Sequence, residues 1–195
     1  MIEGFTIMKR RTFVKHLAIL PGAILLAQYG RAAQPKTGEV SVETLQKEWQ
    51  TYLAEGSDAV LTKEPLKHSE AEWKKMLTPE QFDVLRHEGT ERPFTSPLND
   101  EKREGVFVCA GCSLPLFTSA MKFDSGTGWP SFFTSIPDAF ATSRDFKLIW
   151  PRTEYHCVRC GGHHGHIFND GPKPTGERWC NNGVALRFIP KTDKA

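Results

Sequence analysis

The chain has 195 residues, 39% of them hydrophobic and 25% charged, enough for one globular domain with a sizeable core. Its whole-chain charge of +2 resides at the N-terminus, where Lys9, Arg10, Arg11, Lys15 and Arg31 against Glu3 give +4 over the first 32 residues and leave −2 for the rest. A mildly acidic body lacks the concentrated basic face that nucleic acid calls for, so no nucleic-acid partner is expected.

The N-terminus has the anatomy of an export signal: a basic run Lys9-Arg10-Arg11, an apolar stretch from Leu17 to Ala27, and small residues at Ala32 and Ala33. Pro21 and Gly22 interrupt the apolar run, which is well short of the roughly 20 residues that span a bilayer. The string R-R-T-F-V-K resembles the twin-arginine signal, implying a periplasmic mature chain with no stable membrane partner after residues 1–33 are removed. An uncleaved anchor is the alternative.

A linker and peripheral helix occupy residues 34–68, with Val42 to Glu55 reading as helical on the spacing of Val42, Leu45, Trp49 and Leu53. Two capping boxes then start helices, Ser69 with Glu72 and Thr78 with Gln81, and Gly89 is expected to end the second. The segment Thr90 to Asp100, with Pro93 and Pro97, reads as irregular surface chain. From Gly105 the texture changes to short runs, V-F-V, P-L-F, F-K-L-I-W, E-Y-H-C-V, H-I-F and V-A-L-R-F, separated by Gly, Pro, Asn and Asp. These predict a mainly β fold, small antiparallel sheets forming a sandwich or open barrel with the helices on the N-terminal side. The domain spans 69–190, and 191–195 is a tail.

Cys109 and Cys112 form one C-x-x-C pair, and Cys157 and Cys160 another, 44 residues downstream. Two such turns facing each other give the four-sulfur set that suits a structural Zn²⁺, one per chain, with no coordination position left open for chemistry. Two disulfides are the other reading, open to an exported protein. Cys180 is left over, and a solitary cysteine close to His163, His164 and His166 is a candidate nucleophile. Taken alone, H-H-G-H fits a second metal site, core histidines, or an acid and base pair, and Trp129 alone reads as a core residue.

The strings W-K-K-M-L-T-P-E-Q-F-D-V-L-R, G-T-E-R-P-F, C-A-G-C, F-D-S-G-T-G-W-P-S-F, H-x-G-H-I-F-N-D-G-P and R-W-C-N-N together resemble the B-type methionine sulfoxide reductases, over Ser69 to Pro190. The resemblance implies reduction of methionine-R-sulfoxide, free or protein-bound, with Cys180 as nucleophile and His163, His166 and Asn182 beside it. It implies substrate contacts from Trp129 and Phe168, and zinc on Cys109, Cys112, Cys157 and Cys160. His164 receives no role.

Many members of that family carry a resolving cysteine where this chain has Thr127. With four cysteines in the clamp and the fifth as nucleophile, an external thiol reductant is expected, acting on a Cys180 sulfenic acid. A monomer is expected. The competing readings are a non-catalytic zinc-ribbon binding module, which leaves Cys180 unexplained, and a thiol peroxidase, which has no need of Trp129.

Overall fold

The computed structural model describes residues 41–146 and 151–191. The expected export segment, the linker up to residue 40, residues 147–150 of the F-K-L-I-W run and residues 192–195 of the tail lie outside the described residues. Among the described residues no helix is long and apolar enough to cross a membrane.

Three short helices lead into the sheets. Helix α1 (Val42–Lys47) stops well before Glu55, because the chain tightens into a 3-10 turn at Trp49–Tyr52 and is extended by Leu53. Leu45 is the one buried residue of α1, too little packing to sustain a longer helix. Helices α2 (Glu70–Met76) and α3 (Pro79–His87) begin on the two expected capping boxes. The left-handed residue that ends α3 is Glu88, at φ 59°, rather than Gly89, whose amide donates to the Asp83 carbonyl at 3.1 Å.

Nine strands follow among the described residues: β1 (Gly105–Cys109), β2 (Pro115–Thr118), β3 (Lys122–Phe123), β4 (Ser131–Phe132), β5 (Phe140–Asp145), β6 (Arg152–Cys157), β7 (His163–Phe168), β8 (Arg178–Asn181) and β9 (Leu186–Pro190). They form two antiparallel sheets, ordered β2-β1-β9 and β3-β4-β8-β7-β6-β5, so the mainly β architecture matches the sequence reading. The core lies between them. Phe107 and Phe117 of the smaller sheet meet Phe132 of the larger, Phe117 stacked on it at 3.9 Å and Phe107 edge-on at 5.1 Å, all three fully buried. Withdrawing each ring from water stabilises the sandwich by about 2 to 3 kcal/mol.

Strand alternation assigns the larger sheet's two faces. Phe132, Trp179 and Tyr155 point toward the core, where Trp179 packs edge-on against Tyr155 at 5.0 Å, and Ser131, Cys180, His166 and Glu154 share the opposite face through their cross-strand pairings. A bulge interrupts the alternation on β7: Tyr155 pairs with Gly165 and His156 with His163, leaving His164 as the extra residue. The bulge puts His163 on the same face as His166 and turns His164 into the core, stacked over Tyr155 and edge-on to Phe140.

His164 is thus a core histidine. It is fully buried, and neither ring nitrogen makes a hydrogen bond of normal geometry, Asn181 being its polar neighbour. Burial pushes its pKa from 6.5 down to about 3. Between those values the unfolded chain binds a proton that the folded chain refuses, so stability present above pH 6.5 is lost as pH falls toward 3, by about 2 kcal/mol at pH 5. His164→Phe, which keeps the ring and removes the titration, is expected to flatten this slope in urea unfolding at about pH 7 and pH 5. Equal slopes in the two proteins would refute the account.

Candidate active site and metal centre

Both cysteine pairs sit where a strand ends in a tight knuckle. Cys109 closes β1, and the Ser113 amide turns back to its carbonyl at 2.8 Å; Cys157 closes β6, and the Gly161 amide does the same at 2.8 Å. Ser113 and Gly161 hold the same left-handed backbone, φ 58° and 67°, so two unlike sequences build the same hairpin. One knuckle belongs to each sheet. The four sulfurs lie within 4.8 Å of one another, with Cys109 to Cys160 at 3.6 Å and Cys112 to Cys157 at 3.5 Å.

These separations exclude disulfides, whose sulfurs bond at about 2.05 Å, and suit a tetrahedron with metal–sulfur bonds of about 2.3 Å. All five cysteines are free. Without a cation the four thiols divide unequally: contacts from its three neighbours pull Cys112 down strongly, while the same contacts and burial hold Cys109 up. The donor set fits a metal ion that lets all four ionise together.

Cys180 lies mid-sheet on β8, its Cα paired with Ser131 on one side and His166 on the other, and it is half-buried. Burial pushes its thiol above the ordinary value of 9, and the charge of Arg178 with hydrogen bonds from Thr127 and Arg178 pulls back down. Arg178 is itself fixed, donating to both oxygens of Asp170 at 2.8 and 2.9 Å and lying 4.3 Å over the ring of its cross-strand partner Phe168. Phe168 therefore braces the guanidinium beside the sulfur. Thr127 heads a hydroxyl chain through Ser125 to Ser131, each step 2.8 Å.

The two histidines on this face each have one nitrogen held by a carboxylate. His166 Nε2 meets Asp145 at 2.8 Å, and His163 Nδ1 meets Glu154. Their rings stand 5.6 Å apart, edge to face. Burial lowers both pKa values below 6.5 despite the carboxylates, which makes them neutral near pH 7. Gly165 between them is mid-strand rather than in a turn: a Cβ there would lie 1.9 Å from the Cys180 carbonyl, so glycine is what lets β7 close on β8.

Asn182 is buried, and its amide faces the backbone: Oδ1 accepts from the Glu91 N–H and Nδ2 donates to the His164 carbonyl, both at 3.0 Å. It braces the site. Trp129 precedes Ser131 by two residues and donates its indole N–H to the Glu91 carbonyl at 3.2 Å. Glu91 also accepts from the amides of Gly183 and Val184 at 2.6 and 2.9 Å, so this one residue ties Trp129, Asn182 and the chain after Cys180 together. A cleft of about 610 Å³ borders Trp129, and another of about 420 Å³ borders His163 and His156; Cys180 lines neither.

Residues 77–190 match the SelR domain. The chain belongs to the SelR domain family. It is 50% identical over 129 residues to a peptide methionine sulfoxide reductase MsrB of Methanosarcina barkeri, covering 66% of this chain and 91% of that protein. A protein of the same name from Pseudomonas putida is 54% identical over 121 residues, 62% of this chain and 91% of the relative. The chloroplastic peptide methionine sulfoxide reductase B1 of Arabidopsis thaliana is 51% identical over 121 residues, 62% of this chain and 60% of that protein. The SelR match contains every site residue named above.

Arg178, Asp145, Glu154 and Glu91 enter with the structure, as does the contact of Thr127 with Cys180. A signal for two of them existed in the sequence: alternation along R-T-E-Y-H-C puts Glu154 and His156 on one face, and R-W-C puts Arg178 on the face of Cys180.

Proposed function

We propose that this SelR protein reduces methionine-R-sulfoxide, with Cys180 as the nucleophile and His166 and His163 as its proton carriers. The observation that carries the reading is a half-exposed Cys180 in register with His166, flanked by Arg178 and Thr127, on a face that also holds His163. With Nε2–H of His166 and Nδ1–H of His163 directed at carboxylates, the other ring nitrogen of each presents a lone pair. Such a neutral histidine accepts the Cys180 proton, and the resulting imidazolium, steadied by its carboxylate, delivers it to the sulfoxide oxygen as the sulfur–oxygen bond breaks. The oxygen ends on Cys180 as a sulfenic acid. Methionine gains two electrons and the cysteine loses two, and two equivalents of an external thiol restore Cys180 with release of water and one disulfide.

Trp129 and Phe168 are read as substrate-side residues, Trp129 as the wall against the substrate's methyl group. Zn²⁺ is the proposed occupant of the four-cysteine cluster; it supplies a cross-link between the sheets there, with no open position for chemistry.

Wild-type protein with dithiothreitol is expected to consume the R epimer of methionine sulfoxide, and Cys180→Ser to lower kcat/KM by about a thousandfold. Because the thiol lies above its ordinary range, kcat/KM is expected to climb from about pH 6 to pH 9 in step with the ultraviolet absorbance of the thiolate. Absence of R-epimer turnover would sink the activity, and a flat profile over that range would sink the protonated resting thiol.

Residues 1–33 are proposed to export the chain to the periplasm through a twin-arginine pathway, supported by the basic run, the short apolar stretch and Ala32-Ala33. Intact-mass measurement from the native host is expected to find a terminus just after Ala32 or Ala33; an intact Met1 terminus would overturn it. A monomer that meets its thiol reductant by transient contact completes the reading.

A further inference from the structure

Four non-glycine residues among those described have positive φ: Glu88 ends a helix, and Ser113, Asp138 and Phe94 lie at turns. Phe94, at φ 64°, is 73% exposed to solvent. A bulky aromatic in the left-handed region is costly, and an exposed one gains little from the core, so the fold holds Phe94 outward against both local and solvation preferences. Its N–H donates to the Gly128 carbonyl at 2.7 Å, and Asn99 donates to the same carbonyl at 2.9 Å. A Cβ on Gly128 would come within 2.8 Å of the Phe94 nitrogen and ring, so the Phe94 loop and the turn that carries Trp129 are built against each other.

Phe94 stands at the lip of the cleft of about 610 Å³, which Trp129 also lines. The cleft runs along β3, the terminal strand of the larger sheet, whose Lys122 and Phe123 line it and whose outer edge has no strand partner among the described residues. Lys102 and Lys122 stand there among Asp100, Glu101 and Asp124, so the lining carries both signs of charge. An aromatic lip, an open strand edge and mixed charge are what an extended polypeptide of varied sequence requires.

We propose that this cleft binds the polypeptide on one side of an oxidised methionine, with Phe94 as its anchor. The inference rests on the methionine sulfoxide reductase reading, because Trp129 belongs both to the proposed substrate wall and to the cleft. Free methionine sulfoxide has no flanking residues to lay along the cleft, so the two substrates differ in what the ring contributes.

The test compares a heptapeptide holding one central methionine-R-sulfoxide with free N-acetyl-methionine-R-sulfoxide, on the full chain. Phe94→Gly removes the ring and relieves the left-handed backbone, so its Tm is expected to equal or exceed that of the wild type. The peptide-to-free ratio of kcat/KM is nevertheless expected to fall about fivefold or more, through KM, in Phe94→Gly and in Phe94→Ala. A ratio within twofold of wild type in both variants overturns the proposal, as does equal loss on the two substrates. A wild-type dimer that Phe94→Gly dissociates would assign the ring to a second copy of the chain and also overturn it. Failure of the wild type on both substrates would instead refute the underlying activity.

Discussion

Cys109→Ser or Cys157→Ser is expected to remove most of the folding free energy and to release about one zinc per chain. A four-thiolate zinc site contributes on the order of 10 kcal/mol to folding, comparable to the whole stability of a domain of this size. Here the four cysteines bring a knuckle on β1 against one on β6, so a metal ion bound there would tie the smaller sheet to the larger across 44 intervening residues. Even half that contribution would lower Tm by roughly 15 °C. Activity should go with it, because Gly161 and Gly162 lead from the second knuckle directly into His163, and the Cys157 amide donates to the Gly162 carbonyl at 2.8 Å. Elemental analysis and thermal melts on protein purified without chelator check this; a zinc-free, fully stable wild type would remove the structural role.

The sequence revealed what local chemistry controls. Capping boxes at Ser69 and Thr78 work within one turn, so the starts of α2 and α3 were legible to the residue. The clustering of the four cysteines was legible because C-x-x-C spacing encodes a knuckle wherever the two halves lie. Hidden were the features set by pairing across the sheets. The two-residue strands β3 and β4 have no periodicity to read, yet β4 provides Ser131 as the Cα partner of Cys180. Likewise H-H-G-H gives no sign that a bulge sends the middle histidine inward and the outer two outward, because the bulge is set by the pairing with Tyr155 and His156.

That bulge also explains how one short stretch carries two opposite requirements. His164 stacks beside Tyr155 in the core, while His163 and His166 share the face of Cys180; strict alternation from His163 to His166 would have put those two on opposite faces. The extra residue solves both. Each outer histidine then meets an acid from a neighbouring part of the sheet, Glu154 on β6 and Asp145 on β5, so the two imidazoles and their carboxylates are set by three adjacent strands.

A single turnover with methionine-R-sulfoxide is expected to leave Cys180 one oxygen heavier, with no disulfide. The four other cysteine sulfurs are gathered in the buried cluster, and the side chains that reach the Cys180 sulfur are those of Thr127 and Arg178. A sulfenic acid formed there is held by Thr127 and Arg178 until a small thiol arrives, so dithiothreitol should support turnover readily and a thioredoxin-type protein poorly, since the latter attacks disulfides. Thr127→Cys turns the same contact into a test, because it puts a second thiol where the hydroxyl meets the sulfur. The variant is expected to lose two hydrogens instead of gaining an oxygen, and to be recycled by a thioredoxin-type reductant about tenfold faster than the wild type. Intact mass after trapping with a sulfenic-acid reagent reads both outcomes. If the wild type instead lost two hydrogens and showed a bridge from Cys180 to a clamp cysteine, the clamp would be redox-active and its assignment to zinc wrong.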